Sequence, residues 1–373
     1  MVRRVSGLAR LYHGLAGVSC FLSNGVGGVV AAERPSVAGV VIGTWQQAVR
    51  SDLGGGGLDS EANAAVDMAL SLPVGAGALE LELKGSSTPP RNGVSSVLAV
   101  ANASVGESVG SDERGRIVAW QAFYRHPAGN GSLAVGLLDV TGWLDGNDVA
   151  SDEFTQFLGA SFVHSPTIDL PSASFGAAYN VGLGRGFGLA AVAVNATGVE
   201  PRYRAAFQPA RHGNGLFGAL ELQWSGAGLA ANLGAWVNSR HHDDDGDGVD
   251  DERLAKGRAR GLYGNLSGSA AGGRWNLRLG WADPRVQVPA RFAAVAYSHP
   301  FGKAVVGAAV GRTFPSNRLP GSHAALTQAE VYVRFPVYRN VTLTADLQHI
   351  AHAGFDPAQT GDWVMGVRMG WSF

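Results

Sequence analysis

Residues 361–373 read Gly-Asp-Trp-Val-Met-Gly-Val-Arg-Met-Gly-Trp-Ser-Phe, and this closing stretch decides the fold class. Large apolar side chains alternate in it with small or polar ones. One face of the predicted strand carries Trp363, Met365, Val367, Met369, Trp371 and Phe373, and the other carries Val364, Gly366, Arg368, Gly370 and Ser372. Such alternation over a membrane-spanning strand length of roughly 9–11 residues indicates lipid on one side and water on the other. A soluble edge strand would rarely expose so many large apolar groups.

The composition supports a membrane protein built from strands. Only 16% of the 373 residues are charged, and the 54 glycines are about twice the average share. No apolar run beyond the N-terminus reaches the roughly 18 residues of a spanning helix. A membrane protein without such helices must satisfy its backbone hydrogen bonds in a closed barrel. The net charge of -1 predicts no nucleic-acid partner, and the single cysteine excludes an intrachain disulfide framework.

The N-terminal segment has the features of a secretory signal peptide. Three arginines within the first ten residues precede an apolar stretch of small residues, and a small-residue cleavage site ends at Ala32. We therefore predict a signal peptide over residues 1–32 and a single barrel domain over residues 33–373. A buried N-terminal helix is the alternative, but the many glycines of this stretch disfavour a helix interior.

Alternation along the rest of the chain predicts an all-β protein, a transmembrane antiparallel up-and-down β-barrel of about sixteen strands. Tight turns such as 73–76 and 127–130 alternate with long links such as 85–115 and 140–173. A barrel with short periplasmic turns and long outer loops requires this pattern, whereas a β-sandwich or a propeller does not. The inward face of the strands is polar, so we predict a water-filled interior of mixed charge. The predicted strands lie near 37–48, 63–72, 77–84, 116–126, 131–139, 174–184, 187–196, 215–226, 228–239, 260–270, 274–283, 290–300, 302–313, 327–337, 340–349 and 361–373.

Three motifs in the chain are distinctive enough to suggest a family. Gly136-Leu137-Leu138-Asp139 ends a predicted strand, and residues 147–158 read Asn-Asp-Val-Ala-Ser-Asp-Glu-Phe-Thr-Gln-Phe-Leu. Residues 162–169 read Phe-Val-His-Ser-Pro-Thr-Ile-Asp. Together with the closing hairpin, which contains Asp-Leu-Gln-His-Ile at 346–350, they resemble the carbohydrate-selective outer-membrane porins, the OprB-type family. His164 stands where that family usually has asparagine.

The resemblance implies a channel of the bacterial outer membrane that lets carbohydrates and other small hydrophilic solutes diffuse passively, with an arginine-bearing constriction. Guanidinium groups and carboxylates pair with sugar hydroxyls, and aromatic faces stack on sugar rings. The alternative for each candidate is a residue that only lines the inner wall and pairs across strands. The candidate pore-lining residues are Arg278, Arg334, Arg368, Glu80, Glu82, Glu221, Glu330 and Asp346, with Trp236 and Tyr332 for stacking.

The loops and the partners follow from the same interpretation. We expect the loops 85–115 and 140–173 to fold inward and narrow the pore, with a short helix over residues 147–158. Expected partners are small sugars, outer-membrane lipid and the barrel-assembly machinery, because a C-terminal aromatic such as Phe373 resembles the signature that this machinery binds. A monomer and a homotrimer both stay open. No catalytic constellation is predicted, so we do not expect an enzyme.

The acidic run at residues 243–252 is not explained by this interpretation. Its carboxylates match positions one, three, five and nine of a calcium loop, but Leu254 replaces the bidentate glutamate at position twelve. It therefore predicts either a weak calcium site in an outer loop or a solvated acidic loop, and no other cofactor is expected. Two further functions stay open beside the sugar channel: a general porin without sugar selectivity, and a calcium-binding surface barrel acting in binding or adhesion. The metal candidates are Asp243, Asp245, Asp247 and Asp251.

Overall fold

A computed structural model describes residues 34–51, 58, 60–105, 115–199, 203–208, 215–240 and 258–373. Sixteen antiparallel strands form one closed barrel, in which the first strand pairs with the last. Among the described residues, no helix has the length and apolarity to cross a membrane. The predicted signal peptide and the acidic run at 243–251 lie outside the described residues. The strands are β1 (Ser36–Arg50), β2 (Glu61–Val74), β3 (Gly77–Ser86), β4 (Ile117–Ala128), β5 (Gly131–Leu138), β6 (Ser174–Gly184), β7 (Phe187–Asn195), β8 (Leu216–Gly226), β9 (Leu229–Asn238), β10 (Ala259–Ala270), β11 (Gly273–Ala282), β12 (Pro289–Phe301), β13 (Ala304–Pro315), β14 (Leu326–Tyr338), β15 (Val341–Ala351) and β16 (Asp362–Ser372).

The predicted barrel and its alternating connections are confirmed. At one rim, the short-turn rim, neighbouring strands are joined by two residues, as at 185–186, 227–228 and 271–272. In these three turns both residues have positive φ, for example 54° at Arg185 and 81° at Gly186. Positive φ at both positions defines the type I′ turn, whose twist matches that of the two strands that it joins. The long connections all lie at the opposite rim, the long-loop rim.

The two faces of β16 are those that the sequence predicts. Trp363, Met369 and Trp371 are 41%, 58% and 51% exposed on the outer surface, whereas Val364 and Arg368 are buried inside. Exposed leucines and valines continue the outward face around the barrel. The outer wall is therefore a continuous apolar surface, which suits contact with lipid.

Tyrosines on the outer surface secure the short-turn rim. The hydroxyl of Tyr124 donates to the carbonyl oxygen of Val74 at 3.0 Å, across to the preceding turn. The hydroxyl of Tyr297 likewise donates to the carbonyl oxygen of Ala270 at 3.1 Å. Amphipathic rings at this level are typical of the aromatic belts at membrane interfaces, because one end of the ring is apolar and the other polar.

The barrel closes where β1 meets β16. The backbone N–H of Gly39 donates to the carbonyl oxygen of Phe373 at 3.1 Å, and the N–H of Phe373 donates to the carbonyl oxygen of Gly39 at 3.0 Å. The Phe373 ring lies over Gly39, where a Cβ would overlap its atoms. The last residue of the chain is thus part of the closing ladder.

The interior differs from the predicted water-filled lumen. Residues 139–173, here called the inner loop, fold into the barrel and bring their own apolar side chains. Trp143 and Leu144 pack in one buried cluster with Phe217 on β8 and small residues of β6 and β7, while Phe157 and Phe162 pack in a second one. The prediction of a polar interior is therefore wrong for this part of the wall, because the loop needs apolar partners on the strands that face it.

Candidate functional site

The inner loop is fixed to the wall by a buried ion pair between Asp145 and Arg278. Arg278, on the inward face of β11, is 1% exposed, and its Nε lies 3.2 Å from Oδ1 of Asp145. Its Nη1 donates to the carbonyl oxygen of Phe162 at 2.9 Å. Its Nη2 donates to the carbonyl oxygen of Ala150 at 2.9 Å and to Oγ of Ser151 at 3.0 Å. One arginine therefore binds both halves of the inner loop.

Asp145 is also the point at which three strands meet the loop. Its backbone is left-handed, with φ of 57°, a region that aspartate tolerates better than most residues. Its N–H donates to Oε2 of Glu221 at 2.7 Å, while its carboxylate accepts from the N–H of Ser165 at 2.8 Å. Nδ2 of Asn265 donates to the same carboxylate at 3.1 Å. Side chains of β8, β10 and β11 thus converge on a single loop residue.

Glu330 on β14, three strands around the barrel from β11, also binds the loop. Its Oε1 accepts from the backbone N–H of Leu158 and its Oε2 from that of Gly159, both at 2.8 Å. Gly159 has no room for a Cβ, which would overlap the side chains of Gln328 and Glu330. Because Glu330 is 1% exposed, these two N–H groups have no access to water as an alternative acceptor.

The two remaining candidate arginines bind the stretch just before Leu158. Nη1 of Arg334 donates to the carbonyl oxygen of Thr155. Nη1 of Arg368 donates to the carbonyl oxygen of Glu153, and its Nη2 donates to that of Gln156 at 2.7 Å. Arg334 and Arg368 therefore lie together on one wall, and Arg278 is engaged at a separate part of the loop.

The two candidate stacking residues already have aromatic neighbours. Tyr332 is buried edge-on against Phe157, with ring centroids 5.0 Å apart. Trp236 is buried and stacks on Phe217 with centroids 6.4 Å apart. Asp346 is half-buried and lies opposite Tyr332 in the β14–β15 register. Both rings thus contribute to the packing of the interior.

A second segment, residues 87–105, also enters the barrel, as predicted for this loop. Nε2 of Gln348 donates to the carbonyl oxygen of Ala101 at 2.9 Å. The N–H of Ala103 donates to the carbonyl oxygen of Leu158 at 2.8 Å. This segment, which includes the short helix α1 (Val94–Val97), therefore supports the inner loop from the side.

The last two candidates, Glu80 and Glu82, lie inward on β3 near two cations. Glu80 is 3.6 Å from Nε of Arg125 on β4. Lys84, two residues beyond Glu82 on the same face, is 3.7 Å from Oε1 of Glu153 in the inner loop. Charged side chains of both signs thus occupy the gap between β3 and the loop.

A cavity of 860 Å³, here called the outer cavity, opens between this wall and the inner loop toward the long-loop rim. Nε1 of Trp120 donates to Oδ2 of Asp139 at 2.7 Å, which fixes the indole beside the carboxylate. The cavity combines an aromatic ring with charged and hydroxyl-bearing side chains, the groups that bind sugars. Its lining includes Lys84, Trp120, Asp139, Glu153, His164 and Ser165.

The ionisation of the outer cavity follows from burial and from Lys84. Burial raises the pKa of Glu153 above its ordinary value, although Lys84 opposes the shift. Burial also raises the pKa of Asp139, but Lys84 and hydrogen bonds from Thr141 and Trp120 outweigh it and hold the pKa below its ordinary value. Burial lowers the pKa of His164 to about 4, so its imidazole is neutral at pH 7.

One local prediction is wrong. No helix covers residues 147–158, because side chains take backbone groups that a helix would pair with each other. The N–H of Phe154 donates to Oδ1 of Asp152 at 2.9 Å, and the carbonyl oxygen of Ala150 accepts from Nδ2 of Asn147 at 2.9 Å. Such side-chain bonds give the backbone an alternative to the helix. The α-helix of the loop is α2 (Ala160–Val163), which begins after the predicted segment ends.

Several residues of the site were not among the sequence candidates. Asp145 carries no sequence signal, because its role depends on three distant strands. Arg274 forms an ion pair with Asp148 of the inner loop and is 48% exposed on its side chain. Arg274 is four residues from Arg278 on the same strand, so the two side chains lie on the same face and the alternation could have identified Arg274.

Within the described ranges, no group of three or more His, Cys, Asp or Glu residues is arranged to hold a metal ion.

Comparison with known proteins decides the family. A family model described as "Carbohydrate-selective porin, OprB family" matches residues 74–373. The chain belongs to the OprB family. This OprB-family porin therefore lies in the outer membrane and gives passive, selective passage to carbohydrates, which favours the sugar channel over the general porin and the surface-binding barrel. The short-turn rim is accordingly periplasmic and the long-loop rim faces outward.

Solved structures share the fold of this OprB-family porin at low identity. The high-pH structure of Pseudomonas putida OprB has a TM-score of 0.68 and 15% identity, covering 91% of this chain and 94% of that one. A mutant of the Rh. blastica porin has a TM-score of 0.56 and 14% identity, covering 91% of this chain and all of that one. No curated protein matches the chain.

Proposed function

We propose that sugars enter this porin through the outer cavity and that the anchored inner loop sets the width of the passage beyond it. The observation that carries the proposal is the mixed lining of the cavity. Lys84 lies over the ring of Trp120, Asp139 accepts from the indole N–H, and Glu153 is 3.7 Å from Lys84. A neutral sugar with several hydroxyls gains hydrogen bonds to such groups, whereas a small inorganic ion gains fewer.

In this proposal the eight charged candidate residues of the inner wall divide by role. The arginines, Glu221 and Glu330 hold the inner loop in place and so determine the pore size from a distance. Glu80, Glu82 and Asp346 contribute to the charge of the passage. The conduction involves no covalent chemistry, since selectivity follows from width, hydrogen bonds and charge.

Removing one charge of the outer cavity tests this proposal. Replacing Glu153 by Gln is expected to weaken sugar binding by about tenfold, because a hydrogen bond to a charged group contributes roughly 1.5–3 kcal/mol. The measurement is the sugar concentration that half-blocks the ion current through single channels in a planar bilayer, with liposome swelling in graded sugars as a second readout.

Asp148→Asn is the matched control, because Asp148 lies on the same loop but outside the cavity lining. It is expected to keep the wild-type sugar affinity. Equal sugar affinity in Glu153→Gln and wild type would contradict the assignment of the cavity, while the family function would stand.

The acidic run supports a separate proposal. We propose that Asp243, Asp245, Asp247 and Asp251 bind one calcium ion, with an affinity on the order of 10⁻⁴–10⁻³ M because the glutamate of position twelve is missing. Calorimetric titration should give one weak site that disappears in Asp245→Ala, with unchanged heat stability of the barrel. No heat of binding at millimolar calcium would leave a solvated acidic loop.

The other partners stay proposals on chemical grounds. We propose that Phe373 is bound by the barrel-assembly machinery during insertion and that cleavage after Ala32 releases the mature chain. N-terminal sequencing of the outer-membrane form tests the cleavage site. Crosslinking in native membranes distinguishes a single barrel from a homotrimer.

A further inference from the structure

Two arginines on the lipid-facing surface flank one phenylalanine near the outer rim. Arg291 on β12 and Arg312 on β13 place their Cζ atoms 5.3 Å and 5.2 Å from the centre of the Phe314 ring. Both arginines are exposed, and their strand neighbours Phe292 and Thr313 are buried on the inward side. The side chains therefore point out of the barrel and not into the channel.

The position of these charges along the strands is informative. Directly toward the membrane centre, the same outward faces carry Val295 and Val310, which are 47% and 45% exposed. A charged residue on the lipid face of a barrel costs roughly 2–4 kcal/mol at the bilayer midplane but only about 0–1 kcal/mol near the interface. Arg291 and Arg312 thus lie where the apolar band ends and lipid headgroups begin.

Neither arginine has a carboxylate partner among the residues that the structure describes. Asp283 lies two residues beyond Trp281, the register partner of Arg291. Its Oδ2 is 2.5 Å from Nη2 of Arg285 and 3.3 Å from Nε of Arg260. Hydrogen bonds from Arg285 hold the pKa of Asp283 well below its usual range, so its charge is already neutralised by other groups. Within the described ranges, both guanidinium groups contact the Phe314 ring and stay open to an anionic ligand.

We propose that Arg291, Arg312 and Phe314 form a binding site for the phosphorylated headgroup of an outer-leaflet lipid. A guanidinium group binds phosphate through two parallel hydrogen bonds. Stacking on Phe314 holds the two guanidinium groups in place before the lipid binds. The apolar surface at Val295 and Val310 lies directly below and contacts the acyl chains. This continuity of charged and apolar surface selects a lipid and not free phosphate.

The test uses the full mature barrel, purified in a neutral detergent and titrated with lipid A, a diphosphorylated glycolipid. Bound lipids are counted by native mass spectrometry. The double variant Arg291→Gln/Arg312→Gln is expected to weaken binding by about tenfold or more, since a basic residue near an anionic membrane surface contributes about 1 kcal/mol. Phe314→Leu keeps both charges and is expected to lose a smaller part of the affinity.

Lys303→Gln/Arg339→Gln removes two exposed charges from the opposite, periplasmic rim and is the matched control, expected to bind like wild type. Heat-dependent gel mobility checks that every variant forms a closed barrel. Equal binding of dephosphorylated lipid A, or equal losses in the control and the test variant, would overturn the proposal. Displacement of the lipid by millimolar inorganic phosphate would overturn the choice of a lipid.

Discussion

Replacing Arg278 by alanine is expected to open the channel. The substitution removes hydrogen bonds to Phe162, Ala150 and Ser151 and leaves the buried carboxylate of Asp145 without its cation. Breaking a buried pair in this way costs about 3–5 kcal/mol, and the loop can recover part of it by moving Asp145 into water. We expect single-channel conductance to rise about twofold or more as the passage widens, and sugar selectivity in liposome swelling to fall with it.

Arg274 on the same strand provides a close control. Its ion pair with Asp148 is exposed on both sides, at 48% and 54% of the two side chains, so its loss should change stability little. Arg274→Ala should therefore keep wild-type conductance. Adding Asp145→Asn to Arg278→Ala should restore part of the loop's stability, because no uncompensated charge then remains. Wild-type conductance and sugar flux in Arg278→Ala would show that the inner loop stays docked without this ion pair.

The second large effect is expected at Glu330. Glu330→Ala leaves the N–H groups of Leu158 and Gly159 buried without an acceptor, at about 1–3 kcal/mol for each. The inner loop should then detach from the wall and rebind repeatedly, so the single-channel current should fluctuate more than in wild type. Glu330→Gln keeps one acceptor oxygen and should give an intermediate trace.

Asp346→Asn separates anchoring from charge. Asp346 lies on the adjacent strand and also carries a carboxyl group, but among the described residues its side chain makes no hydrogen bond to the inner loop. We expect this variant to conduct quietly and to shift the reversal potential toward anions. Noise in Asp346→Asn equal to that in Glu330→Ala would mean that wall charge, and not backbone anchoring, steadies the current.

The barrel was predictable because its determinants are local. The alternation in residues 361–373 fixes which face of β16 meets lipid, and the same parity places Arg278, Glu330 and Arg368 inside. Two-residue turns likewise depend on the residues within them. The strand pattern therefore carries the fold and most of the inward-facing candidates.

The conformation of the inner loop was not predictable for the opposite reason. Asp145 donates to Glu221, accepts from Asn265 and pairs with Arg278, and these three partners lie on three strands far along the chain. No local pattern encodes such a meeting point. No helix forms over 147–158, because side chains of Asn147 and Asp152 bond to the carbonyl oxygen of Ala150 and the N–H of Phe154, which a helix would pair with each other. The same holds for the arginines that were predicted to line a constriction, because their bonds to carbonyl oxygens of the loop have no signal in the sequence.

These distant bonds also set an order of folding events. Leu158 and Glu330 are 172 residues apart, Gln156 and Arg368 are 212 apart, and Ala101 and Gln348 are 247 apart. Contacts between residues so remote in sequence form late, because the intervening chain must first be ordered. Until β12 to β14 are in place, Phe157 and Phe162 lack much of the surface that buries them. Sugar selectivity is therefore among the last properties that the folding chain acquires.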